Sequence, residues 1–168
     1  MGRPRLFAGV SAGALDSMLA HYTAFRKKRH DDAYTPGGEA GSRPNRAVIV
    51  YAGLIRKAFP GLPLLAGGIE ASLRRLTHYD YWSDALKPSV LADSGADLLI
   101  YGMGERVVQQ VAKAMRNGYN AKLLRKIRQV AFLSDESYVA RLDPAETIRL
   151  NSYEKCVGDK AAFGENFT

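Results

Sequence analysis

The sequence predicts an α/β domain, a mostly parallel sheet flanked by helices. Three observations predict it. Short apolar runs recur at residues 5–10, 62–66 and 97–101. Each run feeds a turn bearing glycine, and each turn is followed by residues with helical spacing. Strand, turn and helix in alternation mark parallel strands joined by crossover helices. Right-handed crossovers place the turns at one edge of the sheet, beyond the carboxyl ends of the strands, where open α/β sheets bind ligands.

Residues 5–10 (RLFAGV) end in small residues, Gly9, Ser11 and Gly13, so they read as a buried strand and a loop. Residues 16–25 read as a helix whose stripe runs through Leu15, Met18, Leu19, Tyr22 and Phe25. Over residues 26–45 (RKKRHDDAYTPGGEAGSRPN) the period collapses, which predicts a long exposed loop. Loops beyond about 15 residues are usually functional or disordered. Residues 46–59 are the clearest helix, with Ala47, Val50, Tyr51, Leu54, Ile55 and Ala58 on one stripe and Pro60-Gly61 as its stop. The strand at 62–66 closes on Gly67-Gly68. A helical turn over 69–76 and the aromatic segment HYDYW follow, and 83–93 is weakly helical around a break at Pro88. Gly102 and Gly104 follow the strand at 97–101. Residues 105–117 form an amphipathic helix through Val108, Val111, Ala112 and Met115, closed by Gly118. A short helix over 122–127, a last strand over 129–133 and a tail over 152–167 complete the chain. Gly158 and Gly164 weaken helicity in that tail.

Composition bounds the function. The 168 residues carry 24 Lys plus Arg against 17 Asp plus Glu, a net charge of +7, and 46% are hydrophobic. This length suits one domain of about 100–200 residues with a real core, and the composition excludes disorder of the whole chain. Cys156 is the single cysteine. That excludes an internal disulfide framework, and any iron–sulfur or metal site built from three or four cysteines of this chain. It suits a reducing, cytoplasmic setting. No apolar run of about 18 residues predicts a membrane span. A pI near 9.6 admits nucleic-acid binding, through residues 26–29, Arg43, Arg46, Arg74 and Arg75. No zinc-finger, helix-turn-helix or aromatic RNA-binding signature accompanies that charge, so a basic protein surface is the plainer reading.

The glycine turns carry the chemistry that can be read from residues. In Gly67-Gly68-Ile69-Glu70-Ala71-Ser72, glycines permit close backbone approach, and free N–H groups at a helix start favour an anion. Glu70 would oppose an anion and instead accept from a ligand hydroxyl or amide; equally, it is a first-turn residue favoured by the helix dipole. Gly102-Met103-Gly104-Glu105 is similar, but Val107 stands where a dinucleotide fingerprint has its third glycine. His78, Tyr79 and Asp80, with Tyr81 and Trp82, either line a pocket or pack as an aromatic cluster on the sheet edge. His30-Asp31-Asp32 reads as a solvated charged loop rather than a metal site. Ser11, Ser72 and Ser83 lack a G-x-S-x-G context, and nothing activates Cys156.

Six segments carry a family resemblance: GRPRLFAGVSAGALDSML (2–19), YTAFRKKRHDDAYTPGG (22–38), RPNRAVIVYAGLIRKAFP (43–60), GGIEASLRRLTHYDYWSD (67–84), ADLLIYGMGER (96–106) and NSYEKCVGDKAAFGENF (151–167). Across nearly the whole chain they resemble the N-terminal region of YgiQ-family radical SAM proteins. The resemblance implies a Rossmann-like, cobalamin-binding-like fold preceding a radical SAM barrel that holds a [4Fe–4S] cluster and S-adenosylmethionine. Gly67, Gly68, Gly102, Gly104 and Glu105 match the turns that line the ligand crevice in such domains. The chain departs from the pattern in lacking the C-x-x-x-C-x-x-C cluster motif and the cobalamin-binding D-x-H-x-x-G motif. Cluster chemistry is therefore expected outside this chain, and cobalamin is not expected. Family members also carry a stretch upstream of the GRPRLF segment, which implies a domain incomplete at its N-terminus and a piece of a longer protein.

The resulting expectation is a Rossmann-like domain over 1–134 and a linker with helical tail over 135–168, leading to a radical SAM domain of the same protein. Its role would be accessory, with no catalytic residue of its own. The alternative is a module binding a nucleotide or corrinoid at Ser11, Gly13, Gly67, Gly68, Glu70, Ser72 and the Gly102–Glu105 turn, with His78, Tyr79 and Asp80 as further candidates. Nucleic acid is the weakest reading.

Overall fold

The computed structural model describes residues 2–120 and 123–167. The first apolar run forms β1 (Ala8–Val10). Asp16 then caps α1 (Ser17–His21), accepting from the N–H groups of Met18 and Leu19. The helix expected over 16–25 stops at His21. There Tyr22 forms an antiparallel bridge with Lys28, and Arg29 N–H donates to the His21 carbonyl. Non-local pairing overrides the periodic stripe, and of its members only Met18 is buried.

Residues 26–45 are mostly exposed, as expected, but they are anchored from within. Asp32 is 3% exposed and is gripped by Arg43 at 2.6 Å. The Thr35 hydroxyl lies within hydrogen-bond distance of the carbonyls of Asp32 (2.9 Å) and Glu39 (2.7 Å), and Pro36–Gly38 forms a 3₁₀ turn. The segment is thus organised around a buried ion pair, and Asp32 is not a solvated residue.

Arg46, with φ 53°, turns the chain into α2 (Ala47–Ala58). Its buried residues are Ala47, Val48 and Ala52, while Val50 and Leu54 face solvent. The helix is apolar on more than one side, and packing selects a face rotated from the expected stripe. β2 (Leu64–Ala66) and α3 (Gly68–Leu73) follow. Residues 78–87 form a hairpin, β3 (His78–Asp80) paired antiparallel with β4 (Ala85–Lys87). The weak helix expected over 83–93 is therefore replaced by a strand and a short α4 (Val90–Ser94). Ser89 caps α4, and Gly95 ends it in the left-handed region. β5 (Leu98–Ile100) and α5 (Glu105–Arg116) come next, as expected. Leu123–Lys126 is a 3₁₀ turn; Lys122, where a short helix was expected to begin, lies outside the described residues. β6 (Val130–Ala131), α6 (Glu136–Val139), α7 (Tyr153–Gly158) and α8 (Lys160–Glu165) complete the order.

The main sheet runs β1-β2-β5-β6, with β1, β2 and β5 parallel and β6 antiparallel. One face packs Val10, Leu64, Ala66 and Leu99 against Ala47, Val48 and Ala52 of α2 and Val90 and Leu91 of α4. The other packs Leu65, Leu98 and Ile100 against Val107 and Val111 of α5 and Leu124. Every residue of β2 and β5 is buried, as parallel strands covered on both faces require. The α/β, Rossmann-like class expected from the sequence is the class observed. Among the described residues no helix is long and apolar enough to cross a membrane.

Candidate functional site

A crevice of about 630 Å³ opens beyond the carboxyl ends of β1, β2 and β5. The crossovers bring Ser11, Gly67, Gly68, Gly102, Gly104 and Glu105 to it from three separate turns. Phe7, Gly9, Leu65, Ile100, Val108 and Gln109 supply further wall. The turns are tied to one another. Gly67 N–H donates to the Val10 carbonyl at 2.9 Å, and Gly102 N–H donates to the Ser72 hydroxyl at 3.2 Å. Ser11 accepts from Gly13 N–H at 3.3 Å, so Ser72 and Gly13 brace the rim.

The rim glycines answer first to their own neighbours. Gly68 sits at φ +79°, and a Cβ there would lie 3.0 Å from the Ser11 Cβ. A Cβ on Gly104 would lie 3.1 Å from the Ile100 side chain. Gly9 is different, and sequence reasoning missed it. Its backbone has no positive φ, a Cβ would meet nothing within 4 Å, and it lines the open crevice. A glycine inside a strand is the signal that marks it, because such a position often admits a ligand or a second backbone. The crevice offers apolar wall, close backbone approach and one acidic side chain, Glu105, in the first turn of α5.

The structure separates the other candidates from this crevice. Glu70 is 1% exposed, and its two carboxyl oxygens accept from Ser17 N–H and Val48 N–H, each at 2.9 Å. It stitches the starts of α1 and α2 together rather than facing a ligand. Ser17 Oγ accepts from Ala47 N–H beside it. Arg74 pairs with Asp16, the cap of α1. Asp80 accepts from Arg46 at 2.5 Å and from the Ser83 hydroxyl at 2.6 Å. Burial alone would raise the Asp80 carboxyl, but Ser83 and Arg46 outweigh it and hold it below the usual range. Burial lowers the His78 imidazole, helped by the nearby Arg74 cation. Tyr79 is exposed, and its hydroxyl donates to Asp84 at 2.6 Å. The Tyr22 and Trp82 rings meet at 4.3 Å, tilted by 41°, so the aromatic segment packs against α1's exit rather than on the main sheet.

The donor set does not suit an iron–sulfur cluster. Among the described residues no group of three or more His, Cys, Asp or Glu is placed to hold a metal. Cys156 is buried in α7, where Asn166 Nδ2 donates to its sulfur at 3.4 Å.

Relatives share this chain closely. A UPF0313 protein of Porphyromonas gingivalis is 50% identical over 168 residues, covering 99% of this chain and 26% of its own length. One from Thermotoga maritima is 48% identical over 165 residues (98% and 28%), and one from Geobacter sulfurreducens 47% over 167 (99% and 27%). The chain thus spans about a quarter of the length of these relatives. No solved structure matches. The profile of the radical SAM N-terminal family matches residues 1–168, and the chain belongs to that family.

Proposed function

We propose that this region is the accessory domain of a radical SAM protein, shaping or capping the substrate side of a catalytic barrel carried elsewhere in the longer polypeptide. The family match over residues 1–168 supports the reading. So does the single Cys156, which cannot supply the several thiolates that hold a [4Fe–4S] cluster. In this reading the cluster and S-adenosylmethionine bind outside these residues, and the intact protein is a cytoplasmic enzyme. Residues 135–168 serve as linker and helical tail toward the barrel. The test is anaerobic reconstitution with iron and sulfide. The 168-residue chain is expected to stay colourless while the intact protein gains a cluster absorption; a cluster on the chain as a monomer overturns the proposal.

The crevice favours a second reading, a small-ligand module, because Gly9 leaves its floor open. Glu105 on the wall disfavours a bare phosphate there and favours a ligand presenting hydroxyl or amide donors. Calorimetric titration with hydroxocobalamin, S-adenosylmethionine and nucleotides decides it. Heat from any one supports the module, and no heat from all three removes it.

A further inference from the structure

Residues 22–28 form a braced finger that the proposed accessory role leaves unexplained. Thr23 N–H donates to the Lys27 carbonyl and Arg26 N–H to the Thr23 carbonyl, each at 2.9 Å. The Arg26 guanidinium donates to the Tyr81 carbonyl at 2.8 Å, tying the finger to the β3–β4 hairpin. Arg29 Nε donates to the Leu19 carbonyl at 2.9 Å, tying its base to α1. Arg26 holds the tip at φ 60°. This framework presents Phe25 at 87% exposure. The helical spacing placed that ring on a core stripe; the fold turns it out to water.

The ring is followed by four consecutive cations, Arg26, Lys27, Lys28 and Arg29, all exposed. Arg43, Arg46, Arg56 and Arg74 are neutralised by aspartates, whereas Lys27 and Lys28 have no ion-pair partner among the described residues. A second exposed ring, Tyr34 at 59%, stands on the same loop. The loop's exposed acids are Asp31 and Glu39, since Asp32 is paired with Arg43.

We infer that this finger binds single-stranded nucleic acid, with Phe25 as a stacking face for a base and Lys27 and Lys28 as phosphate partners. An exposed ring set among cations is the pairing such binding uses, because every base has a face to stack and a phosphate beside it. A lipid surface would ask for an apolar helical face, and one ring among charges does not provide it.

The test is fluorescence anisotropy of the 168-residue chain with labelled single-stranded RNA and DNA of about 12 nucleotides, at about 50 to 200 mM salt. Binding should fall steeply with salt. Phe25→Ala should weaken it about 5- to 150-fold, the worth of one stacked base, and Phe25→Trp should restore it. The thermal midpoint of Phe25→Ala should stay nearly unchanged, since the residue is 87% exposed. Lys27→Gln with Lys28→Gln should flatten the salt slope by about 0.7 for each phosphate that is no longer neutralised. The inference is overturned by no shift at low salt, by binding indifferent to Phe25→Ala, or by binding to anionic phospholipid vesicles with none to either oligonucleotide.

Discussion

The crevice beyond β1, β2 and β5 and the polar seam beneath α1, α2 and the β3–β4 hairpin share one sequence string, yet they use it in opposite ways. In GGIEASLRR, Gly67 and Gly68 go to the crevice while Glu70 and Arg74 go to the seam. Every carboxyl group of the seam is engaged: Glu70 with two backbone N–H groups, Asp16 with Arg74, Asp80 with Arg46. The crevice has apolar wall, open space at Gly9 and Glu105 without a partner among the described residues. A conspicuous charged string is thus no guide to a ligand. What separates the two regions is whether their polar groups are already satisfied. The seam specifies the fold, and the crevice keeps space that the fold itself does not fill.

The largest effect should come from emptying the seam. Glu70→Ala leaves two buried N–H groups without acceptors, one at the start of each of α1 and α2. Each orphaned donor costs about 1–3 kcal/mol, so the variant should lose about 2–6 kcal/mol. A urea titration should show a lower midpoint at unchanged slope. A loss under about 1 kcal/mol would show that the seam is not what holds these helices, and the comparison would break on its structural side.

Acid probes the same region through its ion pairs. The hydrogen-bonded Arg43 guanidinium holds the Asp32 carboxyl below the usual range, and Ser83 and Arg46 do the same for Asp80 against its burial. Groups depressed on folding add stability that is fully present above the unfolded aspartate value, about 3.9. That stability is lost as pH falls through the lower folded value. Arg43→Gln should lift Asp32 back toward its ordinary value, so acid unfolding followed by circular dichroism should begin at higher pH than in the parent chain.

Gly68→Ala tests the crevice rim. Gly68 has φ +79°, and the new Cβ would stand 3.0 Å from the Ser11 Cβ. The strain should cost about 1–3 kcal/mol, read as a lower thermal midpoint. This places the rim, like the seam, among features the fold requires, and confines the crevice's spare space to its floor.

Much of this was legible because it is local. The strands at 62–66 and 97–101 and the helix at 105–117 announce themselves by apolar runs and glycine stops, and their alternation puts Gly67, Gly68, Gly102 and Gly104 at one edge. What was illegible depends on distant partners. Glu70 lies 53 residues from Ser17 and 22 from Val48, so no spacing rule reveals that both its oxygens are taken. Asp32 looked solvated because its partner Arg43 lies across a stretch without period. The helix over 16–25 looked continuous because the Tyr22–Lys28 bridge that ends it has no signature in apolar spacing. Gly9 carries a local signal, a glycine within a strand, but its openness depends on the neighbours its missing side chain would face.

Gly9→Val is the mildest change for the fold and the sharpest for the comparison. A Cβ at this position meets nothing within 4 Å, and Gly9 has no positive φ to strain. Valine also suits an extended backbone better than glycine does. Stability should therefore stay within about 0.5 kcal/mol of the parent. The same side chain would occupy the floor that Gly9 leaves open between Phe7 and Leu65. If a ligand enters there, the heat seen with the parent chain in the calorimetric titration should be lost while the unfolding midpoint stays put. Heat and midpoint both unchanged would make the floor at Gly9 unused surface, and satisfaction of polar groups would then no longer distinguish a working region from an inert one.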